Sequence, residues 1–225
     1  MNNKLGKYVL LVLDALSICI LGYVLYRNIT TDFSDSKALS DLLQAVLMVV
    51  IFSTALILMI KVVDFSNAII ICGSFTVVAH FLLGEILEFY VHINNYDSLL
   101  HLVNSTILTF AVFSIFCNHY QGDNTKGQLV LKSISGLGIA MLVGVFWEFF
   151  EFYADTFSDG NMQRTINSIT GEPFVGKAAI RDTMKDLILD FCGGIIACSI
   201  YYAMARKEKR FNEVFGVRLK RKGDK

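Results

Sequence analysis

Six apolar stretches, at residues 8–26, 42–63, 68–91, 99–117, 129–153 and 184–205, dominate this chain of 225 residues. A bilayer core ~30 Å thick is crossed by about 20 residues of helix, and each stretch meets or closely approaches that length. In lipid the backbone must bond to itself, so spans of this kind are helices. The single proline, Pro173, lies outside all six. The fold class predicted is all-α: a polytopic membrane protein with six transmembrane helices. Only 18% of residues are charged, against about 25% in soluble domains, and mean hydropathy is +0.54. Disorder, collagen-like repeats and a β-rich secreted scaffold are excluded. Stretch 8–26 follows Lys4 and Lys7 as a signal peptide would. It is too long for a signal core and runs into Tyr26-Arg27-Asn28 instead of a small-residue cleavage site, so it is expected to persist as a span.

The formal charge is zero, yet nine of the twenty Lys and Arg follow residue 205. With the N-terminus inside, fourteen cations fall in inner segments and five in outer ones, and Lys185 lies within a span. The excess of positive charge predicts that both termini are cytoplasmic. It also excludes a generally basic nucleic-acid binder. In the tail 206–225, Phe211 and Phe215 stand one turn apart among basic residues. This fits a plain topology anchor first, and an interfacial helix on anionic lipid as the alternative. The polar segment 155–181 is either a lid or a connector. All five cysteines (Cys19, Cys72, Cys117, Cys192, Cys198) sit in apolar runs without metal or redox spacing, and are expected to be packing residues.

The chemistry concentrates in a repeat. Glu85-Ile86-Leu87-Glu88-Phe89-Tyr90 closes the third stretch, and Glu148-Phe149-Phe150-Glu151-Phe152-Tyr153 closes the fifth. Each E-x-x-E-F-Y is followed by a loop and a second motif, Asp97-x-x-x-His101 in one case and Asp182-x-x-x-Asp186 in the other. Both copies run in the same direction, which predicts a parallel internal repeat with a pseudo-two-fold four-helix core built from spans three to six. The domain reading is two peripheral helices over 1–67, the core over 68–205 and a basic cytoplasmic tail over 206–225.

Residues three or four apart share a helix face. Four acidic stripes result: Glu85, Glu88 and His92, with His80 and Gly84 alongside; Asp97, His101, Asn104 and Ser105; Glu148, Glu151 and Asp155; and Asp182, Asp186 and Asp190. Gly136, Ala140 and Gly144 extend the third stripe and Gly193 and Ala197 the fourth, small residues that allow close helix approach. A carboxylate near the bilayer centre costs ~2.5–3.5 kcal/mol even on the mildest scale, so nine of them demand compensation. Bundle proteins meet this demand by binding metal through carboxylates and histidines from several helices. The candidate ligands are Glu85, Glu88, Asp97, His101, Glu148, Asp182 and Asp186. Oxygen-rich donors of this kind suit Mg²⁺, Mn²⁺, Fe²⁺ or Zn²⁺ over Cu⁺. Protonated acids forming a relay, or a polar cluster that only ties helices together, remain open alternatives. Asp14 in the first span is expected to pair with Lys61. The Trp and Tyr residues beside the acids lie where interfacial aromatic belts form. No phosphate loop, dinucleotide fingerprint, zinc-protease motif or nucleophile elbow is present.

The Asp97-x-x-x-His101 opening of span four, the Trp147-Glu148-Phe149-Phe150-Glu151 end of span five and the Asp182-x-x-x-Asp186-x-x-x-Asp190 run resemble the YjdF-like family of small bacterial membrane proteins. More distantly they are similar to VanZ-like proteins, which are associated with glycopeptide resistance. The resemblance covers roughly residues 75–205. It implies a bacterial plasma-membrane location and a site at Asp97, His101, Glu148, Asp182 and Asp186. In such proteins a small residue or Asn often precedes the glycine after this run, where this chain has Asp190, Phe191 and Cys192, which weakens the case for Asp190. The functional expectation is a divalent-metal-dependent hydrolase or transferase in the outer half of the bilayer, acting on a small, lipid or lipid-linked envelope substrate among membrane lipids. Glu151 or His101 would be the general base. The alternatives are a cation- or proton-coupled transporter or channel, and a non-catalytic envelope-binding scaffold.

Overall fold

The computed structural model describes residues 3–31, 36–119, 125–157, 160–167, 170–205 and 214–220. In chain order the elements are α1 (Lys4–Thr30), α2 (Ser36–Lys61), a short strand β1 (Val63–Phe65), and α3 (Asn67–Val77), which continues as a π-helix (Val78–Ile86). There follow α4 (Phe89–His92), α5 (Tyr96–His119), α6 (Lys126–Phe157), α7 (Arg181–Ala205) and β2 (Val217–Leu219), with a 3₁₀ turn at Gly176–Ala178. Among the described residues, six helices are long and apolar enough to cross a membrane: Lys4–Thr30, Lys37–Lys61, Asn67–Ile86, Tyr96–Ile115, Lys126–Phe157 and Arg181–Met204. These are the six spans the apolar runs predict. Ile18, Val50, Leu131, Phe146 and Ile188 are among many large apolar side chains left exposed, as lipid, itself as apolar as leucine, permits.

Contacts divide the chain into two compact units. Residues 1–100, 114–122 and 207–225 form the first, and residues 101–113 and 123–206 the second. In the first, α1 packs on α2 and α3, and α2 on the π-helix, around buried Leu10, Met48, Phe52, Met59 and Ile70. Asp14 accepts a 2.7 Å hydrogen bond from Ser53 on α2. The expected Lys61 partner is replaced by a neutral hydroxyl at the same depth. At the other end of α1 and α2, buried Asp41 pairs with Arg27 at 2.8 Å and Lys37 at 2.7 Å.

Two departures from the expected helices shape this unit. The Leu87 N–H donates to Leu82 O at 2.9 Å, a five-residue spacing, and Glu88 then takes φ 58° and ψ 31°. The helix stops there. A Cβ at Gly84 would collide with the Tyr90 ring, so the glycine lets Tyr90 fold back until its hydroxyl lies 2.6 Å from His80 Nδ1. The π-turn changes the phase, so the ladder His80, Gly84, Glu88, His92 expected of an α-helix is broken before Glu88, and only its last step, Glu88 to His92, remains. The two E-x-x-E-F-Y copies consequently differ in backbone: the first breaks at Glu88, whereas the second stays inside α6.

The second departure is in the tail. Residues 217–219 form an antiparallel strand with 63–65 in the register Val63↔Leu219, Asp64↔Arg218, Phe65↔Val217, where the amphipathic pattern suggested a helix. Phe211 lies outside the described residues. Arg218 bonds the Asp64 carboxylate at 2.8 Å. That bond, with the charges of Lys220 and Arg218, holds the Asp64 carboxyl below its usual range against a partial desolvation.

In the second unit, glycines mark where helices touch. A Cβ at Gly136 would strike the Phe113 ring, one at Gly194 the Leu137 side chain, and one at Gly193 the carbonyl oxygen of Leu102. Phe113 stacks on Tyr201 at 4.2 Å, and Ala140 and Ala197 are buried. The stripes of small residues read from the sequence are thus contact faces of α5, α6 and α7. Cys19, Cys72, Cys192 and Cys198 carry free thiols, and the Cys198 thiol reaches the Ser133 carbonyl at 3.4 Å.

Candidate functional site

Helical spacing on α5, α6 and α7 turns His101, Glu148, Glu151, Asp186 and Asp190 inward, and all five are buried. A ring nitrogen of His101 and a carboxylate oxygen of Asp186 lie within 4.8 Å of one another. His101 Nδ1 is 3.3 Å from Asp190 Oδ1. Asp190 is fixed further by the close approach at Gly144, where a Cβ would displace its carboxylate, and its backbone carbonyl accepts the Ser105 hydroxyl at 2.6 Å. Glu148 lies within electrostatic reach of His101 and Asp182 and beside Thr183 and Gln163. Neither of its carboxylate oxygens, nor Asp190 Oδ2, accepts a hydrogen bond among the described residues. Buried carboxylate oxygens left in that state cost several kcal/mol unless a cation or a proton satisfies them.

Asp97 precedes His101 by one turn of α5, on the same helix face; the other candidates have partners of their own. Asp182 faces Arg164 at 3.5 Å. Glu151 accepts the Trp147 indole N–H at 2.8 Å, so this tryptophan orients an acid and is more than a belt residue. Asp155 accepts the backbone N–H groups of Met162 and Gln163 at 2.8 and 2.9 Å, folding the following segment back over α6. Gln163 then reaches the Thr183 hydroxyl at 3.2 Å. In the first unit, Glu88 meets Lys37 and His92, each at 3.6 Å, and Lys37 donates to the Glu85 carbonyl at 2.8 Å. The Glu88 carboxylate thus has Lys37 and His92 as local partners, while Lys37 holds Glu85 through its backbone carbonyl.

Asp190 is the residue that sequence reasoning undervalued. Its place four residues after Asp186 put it on the right stripe, and the family pattern argued against it. Asp41, buried between two cations, carried no sequence signal beyond being an acid near the start of a span.

The fold and site define a class: a multi-span α-helical membrane protein with a buried carboxylate–histidine cluster among its last three spans. Residues 12–207 match the family described as predicted membrane protein (DUF2238), and the chain belongs to that family. An uncharacterised protein of Thermotoga maritima is 29% identical over 140 residues, covering 61% of this chain and 62% of the relative. The match thus spans less than two thirds of that relative's length. No solved structure matches.

Proposed function

We propose that the second unit holds a divalent cation and uses it in hydrolysis or group transfer on a lipid or lipid-linked envelope substrate. The observation that carries this reading is the buried Glu148 carboxylate, near Thr183 and Gln163 but with neither oxygen meeting a donor at full hydrogen-bond geometry among the described residues, beside the His101–Asp186–Asp190 group. Helical spacing adds Asp97 to the donors, one turn before His101. Asp190, accepting from Nδ1, would fix the His101 tautomer and leave Nε2 for the cation, a support that metal-binding histidines regularly have. The cation would polarise a phosphoryl or acyl oxygen, or acidify a water. Glu151, held by Trp147, or His101 itself is the general base within the cluster.

A cation or proton relay is the weaker reading. Below the cluster, the α5 hydroxyls are spent on backbone: Thr106 bonds the carbonyls of Leu102 and Gly193 at 2.8 and 3.1 Å, and Thr109 that of Ser105 at 2.8 Å. Groups committed in this way tie helices together.

The test is metal analysis of the full chain purified without chelator, beside Asp186→Asn and Glu148→Gln. A stoichiometric divalent metal in the parent, absent from both variants, is expected. A metal-free parent that regains none from Mg²⁺, Mn²⁺, Fe²⁺ or Zn²⁺ would remove the basis of the proposal.

A further inference from the structure

On the α7 surface the structure has a second feature that the cluster does not use. Lys177, Arg181 and Lys185 line a concave groove of about 530 Å³ whose floor includes Ile180, Met184 and Ile188. The three aliphatic side chains are largely exposed. Elsewhere, Arg27 and Lys37 are paired with Asp41, and Arg164 with Asp182. The side chains of Lys177 and Arg181 make no ion pair or hydrogen bond among the described residues. The groove lies at the N-terminal end of the apolar span Arg181–Met204, where cationic and aliphatic side chains alternate along one side of the helix.

We infer that this groove binds an anionic lipid through its headgroup phosphate, with an acyl or prenyl chain laid along Ile180, Met184 and Ile188. Three cationic residues lining an apolar strip complement a phosphate attached to a hydrocarbon chain. Basic side chains at a span end also occur as simple anchors that snorkel to the interface. A concave setting with two unpaired cations, on one face with aliphatic residues four apart, goes beyond an anchor. Arg181 and Lys185 each precede a member of the acidic stripe, Asp182 and Asp186, in sequence. The groove and the acidic stripe thus lie on neighbouring faces of α7, about 100° apart around the helix axis. The assignment of substrate class rests on the proposed cation site; the binding itself does not.

The experiment uses the full chain in nanodiscs of phosphatidylcholine, with and without one fifth phosphatidic acid, and counts retained phosphatidic acid per protein by native mass spectrometry. Saturable retention of phosphatidic acid over phosphatidylcholine is expected. At about 1 kcal/mol per cation near the surface, each charge contributes about fivefold, so Lys177→Gln, Arg181→Gln and Lys185→Gln together should weaken retention on the order of 100-fold. Lys177→Gln alone, in the turn before α7, should weaken it about fivefold and serves if the triple variant does not fold. Asp186→Asn should retain the lipid as the parent does even when it loses metal, which separates failure of the groove from failure of the cation site. Retention unaffected by the Gln variants, or a parent without preference for phosphatidic acid, overturns the inference. Displacement of the lipid by millimolar inorganic phosphate would assign the groove to free phosphate and overturn the lipid assignment.

Discussion

Replacing Gly193 by alanine tests the packing of the second unit in a single atom. The added Cβ would collide with the Leu102 carbonyl oxygen, and would also stand 3.0 Å from Thr106 Oγ1 and 3.1 Å from Ser105 Cβ. Two of these atoms belong to the backbone or to the root of a side chain, so α5 and α7 must separate. Overpacking of this kind costs about 1–3 kcal/mol. Separation also strains the Thr106–Gly193 and Ser105–Asp190 hydrogen bonds, at 3.1 and 2.6 Å, each worth roughly 0.6 kcal/mol in a membrane protein. The expected loss is about 2–4 kcal/mol. Because Asp190 lies on the displaced helix, the His101–Asp190 contact should loosen with it. Gly138→Ala is the matched control, since nothing lies within 4 Å of a Cβ there. Unfolding by sodium dodecyl sulfate in mixed micelles, followed by circular dichroism, gives both values. Gly193→Ala within about 0.5 kcal/mol of Gly138→Ala, the scatter expected of an ordinary surface change, would refute the close α5–α7 contact.

Four further outcomes are expected. Reporter fusions after residue 220 and within 92–98 should read opposite sides of the membrane, with the former cytoplasmic; a shared side would overturn the topology. Glu88→Gly should be neutral or stabilising by up to about 1 kcal/mol, because it relieves a left-handed residue, whereas Glu151→Gly inside α6 should cost about 1 kcal/mol or more; equal effects in the same unfolding titration would deny the break at Glu88. Asp64 has a carboxyl whose folded pKa is depressed, so its stabilisation is present above the ordinary value of 3.8 and is lost as pH falls through the lower folded value. Hydrogen-exchange protection at Lys220 should accordingly persist at mildly acidic pH and weaken only in stronger acid, and Asp64→Asn should abolish that acid dependence; protection lost near neutrality would contradict the pairing. For metal content, His101→Asn and Asp190→Asn should both lower occupancy, the second less, since Asp190 acts through the ring; loss with Asp190→Asn alone would make Asp190 the ligand.

The spans were legible because each is a local property: an uninterrupted apolar run has one solution in lipid. The glycine and alanine stripes were legible for a related reason, since closeness of helices needs small residues wherever the partner lies. What escaped depends on distant partners. The π-helix and the break at Glu88 rest on Tyr90 folding over Gly84 and on Lys37 reaching the Glu85 carbonyl from α2. Periodicity alone extends the α-helix through that point. The Asp14 partner was misjudged because charge attracts attention that a serine at matching depth does not. In the cluster, the stripe of Asp182, Asp186 and Asp190 was visible by spacing. Which of the three meets His101 depends on the close approach at Gly144 and Gly193, a property of packing.

The strand pair between residues 63–65 and 217–219 bears on how the chain is made. Strand β2 is synthesised after the sixth span, yet it completes the sheet that caps α2 and α3 and belongs to the unit formed mainly by residues 1–100. The early spans can enter the bilayer as they emerge, but β1 must hold its edge open for the whole time that α5, α6 and α7 are being threaded. Maturation of the first unit is therefore post-translational, and a ribosome stalled within α7 would leave a protein with all its earlier spans inserted and β1 still unpaired.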